Sequence, residues 1–216
     1  MVSDNKRGLF ITFEGIDGCG KSLMSKLLAD WLSLRGQENI CLTYEPGDTD
    51  LGAQIRKILL KKEQQNVSRK AEILLFAADR AQHVAAVLGP ALAQGGIVIC
   101  DRYIDSSLAY QCGGRGLSFA DVRMLNDFSI DDCLPDLTFY LSVSVEKAME
   151  RRGKNIDRIE LEDKNFHQRV KEVYDCLAAE NSQRIKVIDA SLPPNGVFAQ
   201  IQKVMEDNWQ NYGLAE

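Results

Sequence analysis

A chain of 216 residues, 45% hydrophobic and 26% charged, carries enough apolar content for one well-buried α/β domain. Its net charge of −5 leaves no basic surplus for nucleic-acid backbones or anionic membranes. No apolar run approaches the ~18 residues of a membrane span, and Met1–Arg7 lacks an apolar h-region, so no membrane anchor and no signal peptide are expected.

Leu9–Glu14 is an apolar run suited to a buried parallel strand. Ser22–Arg35 has helical spacing, with Leu23, Leu27, Leu28, Trp31, Leu32 and Leu34 as its apolar stripe and Gly36 as its stop. Ile40–Tyr44 reads as a second strand, and Glu45–Thr49, with its Pro and Gly, as a loop. Leu51–Lys62 is helical with Leu51, Ile55, Ile58 and Leu59 on one face, and a polar stretch over Glu63–Arg69 follows. Lys70–Leu88 is a long helix with Ile73, Leu74, Phe76, Ala77 and Val84 on its apolar side. Strands are expected at Ile97–Asp101, Leu137–Leu141 and Ile185–Ile188. Helices are expected from an N-cap at Ser118 through Ile130, and over Ser144–Arg151, Lys164–Asn181 and Asn195–Asn208. Alternating strands and helices predict one domain over residues 1–216: a five-stranded parallel sheet with helices on both faces. Ligands of such sheets bind beyond the carboxyl ends of the strands.

The segment Gly15-Ile16-Asp17-Gly18-Cys19-Gly20-Lys21-Ser22, between the first strand and first helix, fits G-x-x-x-x-G-K-[ST], the phosphate-cradling loop of nucleotide-binding proteins. Its glycines let successive N–H groups turn inward toward an anion. The following helix offers unpaired N–H groups and its positive dipole end. Lys21 brings a point charge to the β- and γ-phosphates, and the Ser22 hydroxyl is placed to ligate Mg²⁺. Asp101, closing an apolar strand, is the expected carboxylate partner for the ion or its waters. Six cysteines, at 19, 41, 100, 112, 133 and 176, include no C-x-x-C pair and point to reduced thiols in a cytoplasmic protein. Cys19 lies where amide dipoles can lower a thiol pKa, although a small filler residue is the simpler reading. His83 and His167 sit in helical segments and read as structural.

Beyond the phosphate loop, the chain carries Phe13-Glu14-Gly15-Ile-Asp17-Gly, Glu45-Pro46-Gly47, Leu75-Phe76-Ala-Ala-Asp-Arg80 and Asp101-Arg102-Tyr-Ile-Asp-Ser106-Ser107-Leu-Ala-Tyr110-Gln111. Gly113-Gly-Arg-Gly116, Pro135-Asp136-Leu137 and Asp157-Arg158-Ile159-Glu160 follow in order. Together these blocks resemble the thymidylate kinases over nearly the whole chain. The resemblance implies a phosphate-loop NTPase fold and transfer of the γ-phosphoryl group of ATP to dTMP, with Mg²⁺. It places Asp17 at the sugar 3′-OH and near the ion, Phe76 against the thymine ring, Arg80 at the thymine edge and Arg102 at the acceptor phosphate. Ser106, Ser107 and Gln111 match positions lining the base pocket, and Tyr110 matches an aromatic that crowds the ribose 2′ position. Glu45 and Pro46 are expected to bind the substrate from the acceptor loop, with Arg56 as a further phosphate ligand. Relatives are homodimers, so a homodimer is expected, with the apolar face of the Lys70–Leu88 helix able to serve.

Arg151-Arg152-Gly-Lys154…Arg158 reads either as a solvated helix end or as a basic lid, about residues 150–160, closing over ATP. The family has one version with arginine inside the phosphate loop and another with glycine there and a basic lid. Gly18 and the basic cluster fit the second. Arg151 and Arg158 are the favoured contacts of the transferring group, followed by Arg152. Two positions depart from the family pattern: Tyr44 where many relatives have Arg, and Asp48 where they often have a second Gly. Gly113-Gly114 should allow an unusual turn. A deoxynucleoside kinase of similar fold and a nucleotide-dependent switch are the alternatives; the acceptor arginines weigh against the first, and the lack of an N-K-x-D element against a GTPase.

Overall fold

The computed structural model describes residues 7–62, 67–153 and 156–214. Met1–Lys6, Lys154 and most of the polar stretch, from Glu63 to Asn66, lie outside the described residues. One parallel sheet has the order β2-β3-β1-β4-β5, from β1 Leu9–Glu14, β2 Ile40–Tyr44, β3 Ile97–Asp101, β4 Leu137–Ser142 and β5 Ile185–Asp189. Phe13 pairs with Asp101 on one side of β1 and with Phe139 on the other. Every residue of β1 is buried, as expected for a central strand covered on both faces.

The helices are α1 Lys21–Leu34, α2 Asp50–Leu60, α3 Arg69–His83, α4 Gly89–Ala93, α5 Ile104–Ser107, α6 Phe119–Ile130, α7 Val145–Arg151, α8 Lys164–Glu180 and α9 Pro194–Asp207. They cover the sheet with two apolar layers. Ile11, Phe13, Leu28, Phe139 and Ile201 pack on one side, and Phe10, Leu88, Val98 and Tyr103 on the other. The chain leaves β1 toward β3 and β2, then returns past it to β4 and β5. The carboxyl end of β1 therefore lies where the strand order changes direction, the expected place for a ligand crevice.

Several local expectations are corrected. Leu23 and Leu34 of the first helix face solvent, because Met24, Leu28 and Leu32 take its core face. Leu51, Ile58 and Leu74 are likewise exposed while Ile55, Leu59 and Ile73 are buried. Ser118 precedes α6 at the cap position but makes no capping bond. Thr49, Ser68, Ser144 and Asp163 do cap their helices through the side chain. The long third helix widens into a π-helical turn over Val84–Leu88, and the segment after β3 is helical over Ile104–Ser107, then π-helical over Leu108–Gly114. Gly113 and Gly114 serve close packing: a Cβ on Gly114 would lie 2.5 Å from the Phe166 ring of α8. Gly116 takes the left-handed conformation, at φ 72°.

Candidate active site

The carboxyl ends of β1, β2 and β3 open into a cavity of about 1040 Å³. That exceeds the roughly 300–1,000 Å³ of a site for one drug-sized ligand, so there is room for a donor and an acceptor together. Its walls run from the phosphate loop, through Arg102, to Phe76 on α3 and Gln111 on the π-helical turn.

At the donor end, Gly15, Gly18 and Gly20 all have positive φ, which lets the loop curl ahead of α1. Lys21 Nζ donates to the carbonyls of Gly15 and Ile16, at 3.0 and 3.2 Å, so its charge is held against the loop. Ser22 Oγ donates to Asp101 Oδ2 at 2.5 Å, while Asp101 Oδ1 is buried and makes no hydrogen bond. A hydroxyl and a carboxylate with an unused oxygen suit Mg²⁺, which takes few protein ligands and completes its shell with water and phosphate oxygens. Burial pushes the Cys19 thiol up, opposed by the Lys21 and Arg102 charges, so the expected lowering does not occur. Cys19 fills space beneath the loop.

Arg102 stands at the centre of the cavity with φ 75°, a conformation that costs a non-glycine residue about 1–3 kcal/mol. Its backbone N–H donates to Phe13 O at 2.9 Å, which pins the turn to β1. Its guanidinium donates to Asp17, and to Gly15 O and Ser106 Oγ, each at 3.2 Å. Tyr110 OH donates to Asp17 Oδ2 at 2.6 Å. Burial opposes charge on Asp17, yet Arg102, then Lys21, outweigh it and hold the carboxyl well below the usual carboxylate range. Asp17, Arg102, Ser106 and Tyr110 thus form one charged, hydrogen-bonded unit.

The acceptor end is lined by Phe76, Arg80, Ser107 and Gln111. Phe76 is half-buried and leaves its ring available to the cavity. Gln111 is buried, and its Oε1 makes no hydrogen bond. Arg80 corrects the expectation of a free donor. Its Nε and Nη2 lie 2.9 and 2.8 Å from Glu45 Oε2, its Nη1 donates to Ser107 Oγ and Asn126 Oδ1, and its Nη2 donates to Tyr103 O. Four hydrogen bonds and the Glu45 ion pair already hold the guanidinium, so a bond to a base edge competes with them. Glu45 is turned inward, toward Arg80 and toward His83 Nδ1 at 3.0 Å. Both of its carboxylate oxygens are thus taken by Arg80 and His83, instead of being left free for substrate as expected. Arg56 donates to Pro46 O at 2.6 Å, and its guanidinium lies 5.6 Å from the Tyr44 ring centroid. Asp48 accepts a hydrogen bond from Thr43, which also meets His83 Nε2. The two unusual residues are therefore built into the loop rather than left unpaired.

The family model described as thymidylate kinase matches residues 13–201. The chain belongs to the thymidylate kinase family. It is 44% identical over 209 residues to a thymidylate kinase of Trichormus variabilis, covering 95% of this chain and 99% of that one. A thymidylate kinase of Leifsonia xyli is 47% identical over 204 residues, covering 93% of this chain and 96% of the relative. The crystal structure of thymidylate kinase from Ehrlichia chaffeensis superposes with a TM-score of 0.76 at 37% identity, covering 92% of this chain and 99% of that one. The phosphate-loop NTPase fold follows from that likeness and from the sheet order.

In this thymidylate kinase family member the basic cluster separates into three environments. Arg151 lines the cavity, and its guanidinium donates to Ala190 O at 2.7 Å, with Ser191 O and Leu192 O near its other nitrogen. Arg152 lies on the phosphate loop: its Nε donates to Asp17 O at 3.3 Å and its Nη1 to Glu160 O at 3.0 Å, while its buried Nη2 has no partner. Arg158, expected at the transferring group, faces away. It is buried, with Nε on Leu59 O and Nη2 at 2.5 Å from Glu72 Oε2. His167, read as structural, supports Arg152 from behind at 3.3 Å.

Tyr174 escaped the sequence reading, and Glu14 entered it only within the Phe13–Gly18 block, without an assigned role. The Glu14 carboxylate accepts from Tyr103 N, Ser106 N, Ser106 Oγ and Tyr174 OH, at 2.7, 3.3, 2.6 and 2.9 Å. Burial, aided by the Asp105 charge, pushes Glu14 up to about 7. Only the ionised carboxylate accepts all four bonds. The rate of phosphoryl transfer is therefore expected to fall as pH drops through about 7. A pH–rate profile of Glu14→Gln beside the parent checks this: the parent's inflection near 7 should be absent in the variant.

Proposed function

We propose that the chain transfers the γ-phosphoryl group of ATP to the 5′-phosphate of dTMP, giving ADP and dTDP, a step of dTTP synthesis. It is an ATP-dependent nucleoside monophosphate kinase. The observation that carries this reading is one cavity joining a phosphate loop to an aromatic–amide pocket, with Arg102 between them. An oxygen of the acceptor phosphate attacks the γ-phosphorus in line as the bond to the β-bridging oxygen breaks, so no covalent enzyme intermediate is needed.

Each residue has a task in that transfer. The amides of Gly15, Ile16, Gly18, Cys19 and Gly20 hold the donor phosphates, and Lys21 neutralises them. Arg102, fixed by Asp17, holds the acceptor phosphate in line, assisted by Arg56. Asp17 and Tyr110 close around the sugar. Phe76 stacks on thymine, a contact of about 1–3 kcal/mol. The unused Gln111 Oε1 accepts from the base N3–H, beside Ser107 and Arg80. Ser22 and Asp101 would hold Mg²⁺, whose charge would offset that of the donor phosphates. Residues 150–160 act as a lid on a single kinase domain. Arg152, with its free Nη2, is its contact with the transferring group, and Arg151 supports the donor end. The enzyme works in the cytoplasm as a homodimer, supported by the exposed Leu74, Ala78, Ala81 and Ala85 along one side of α3 and its π-helical continuation.

Equilibrium titration tests this assignment. Loss of the 5′-phosphate removes charge-assisted bonds of about 1.5–3 kcal/mol each, so dTMP should bind at least about tenfold tighter than thymidine. Equal affinities would refute the placement of Arg102 and Arg56.

A further inference from the structure

Outside the residues that face substrate lies a buried ion cluster with no place in the transfer itself. Glu72, in the first turn of α3, has a side chain only 2% exposed. Arg115 grips it with two donors, Nε to Oε1 at 2.8 Å and Nη2 to Oε2 at 3.1 Å. Arg158 adds Nη2 to Oε2 at 2.5 Å. Glu162 pairs with the remaining Nη1 of Arg115, so two carboxylates balance two guanidiniums. Burial works against charge on Glu72, but Arg115 and Arg158 outweigh it and keep the carboxyl below its ordinary value. Arg158 also clamps the end of α2, through its Nε to Leu59 O and its backbone N–H to Leu60 O.

This cluster stands between two parts of the site. On one side, α3 continues from Glu72 to Phe76 and Arg80, one and two turns further on the same face. On the other, Arg158 belongs to the segment whose Asp157, Ile159 and Glu160 line the cavity. The Glu160 carbonyl receives Arg152 Nη1, and Arg152 in turn reaches Asp17 O in the phosphate loop. From α3 the connection runs through Glu72 to Arg158, along the chain to Glu160, and from its carbonyl to Arg152 on the phosphate loop.

We infer that Glu72 is a positioning residue: with Arg158 it fastens the 157–162 segment to the acceptor helix, and so sets Arg152 on the phosphate loop and keeps water from the transferring group. This rests on the reading of Arg152 and residues 150–160 given above. Glu72 itself touches no substrate. A loosened segment misplaces Arg152 and lets water compete with dTMP for the γ-phosphorus, so hydrolysis of ATP rises as transfer falls.

The test compares Glu72→Gln, Arg152→Ala and the double variant, each checked for an unchanged melting temperature, in transfer to dTMP and in ATP hydrolysis without acceptor. Arg158→Lys, which keeps the charge but cannot span Leu59 O and Glu72 together, replaces Glu72→Gln if that variant fails to fold. Glu72→Gln should lower kcat about 10-fold to 100-fold, the scale of a small misplacement, and raise the ratio of hydrolysis to transfer. The double variant should be no slower than Arg152→Ala alone. Additive losses, or an unmoved hydrolysis ratio, would reduce Glu72 to a structural ion pair while leaving the lid reading intact. Full turnover in Arg152→Ala would instead remove the lid reading and this inference with it.

Discussion

Replacing Arg102 with alanine is expected to lower kcat for transfer to dTMP by about 10²–10³-fold, the scale of losing a preorganised donor at developing charge. The size follows from what holds the residue. Its left-handed backbone is fixed by the bond to Phe13 O, and its fork is fixed by Asp17, Gly15 O and Ser106. Little reorganisation remains at the moment of transfer. Lys21 and Ser22 hydrogen-bond to Gly15 O, Ile16 O and Asp101 rather than to Arg102, so ATP affinity should stay within about threefold of the parent. Alanine also strands Asp17, whose charge at neutral pH depends first on Arg102 among the opposing charges. Because that pKa is depressed, the stability it supplies is present above the unfolded carboxylate value and is lost as pH falls toward the folded one. The Arg102→Ala variant should therefore be less stable at pH 7 and closer to the parent in strong acid. Lysine retains the charge but not the fork, and should restore dTMP binding more than turnover. Steady-state kinetics with a melting curve at each pH check all of this; an alanine variant with parental kcat would remove Arg102 from the mechanism.

Gly18→Ala should be the most damaging single methylene in the phosphate loop. Gly18 has φ 87°, and a Cβ there would lie 2.1 Å from Ala148 O and 3.3 Å from Arg152 Cγ. The first contact is with backbone, so loop and α7 must part. Gly20 is the natural control, since it has φ 103° but a Cβ there would meet no atom within 4 Å. Left-handed strain alone costs roughly 1–3 kcal/mol, or about 3–10 °C in a domain of this size. Gly20→Ala should show that loss, and Gly18→Ala a larger one with weaker ATP binding. Equal melting temperatures would show that the approach of α7 to the loop is not tight. The same contact leaves no room for a side chain at position 18 in this arrangement.

The strands were legible because β1 and β3 are continuous apolar runs, and their ends carry the phosphate loop and Asp101. The rule that ligands sit beyond strand ends locates the phosphate loop and Asp101, whereas the joining of Phe76, Arg102 and Gln111 in one site was implied only by the resemblance to the thymidylate kinases. What periodicity does not carry is the direction of a long side chain. Arg151, Arg152 and Arg158 look alike in sequence, yet one faces backbone carbonyls, one the phosphate loop and one a buried glutamate. Arg80 has the residue type of a base reader but hydrogen-bonds to Glu45, Ser107, Asn126 and Tyr103. Glu14 closes an apolar strand and stood in the family block without a role, because its partners Tyr103, Ser106 and Tyr174 are distant in sequence. The π-helical turn over Leu108–Gly114 was marked in the sequence only at its end, by Gly113-Gly114, where α8 packs closely.

The most direct test is ADP release from ATP with Mg²⁺ and a panel of acceptors: dTMP, thymidine, and the monophosphates of the other bases. Rapid release with dTMP, forming dTDP, and little with thymidine or the purine monophosphates is the predicted result. Turnover on thymidine with none on dTMP would contradict the account.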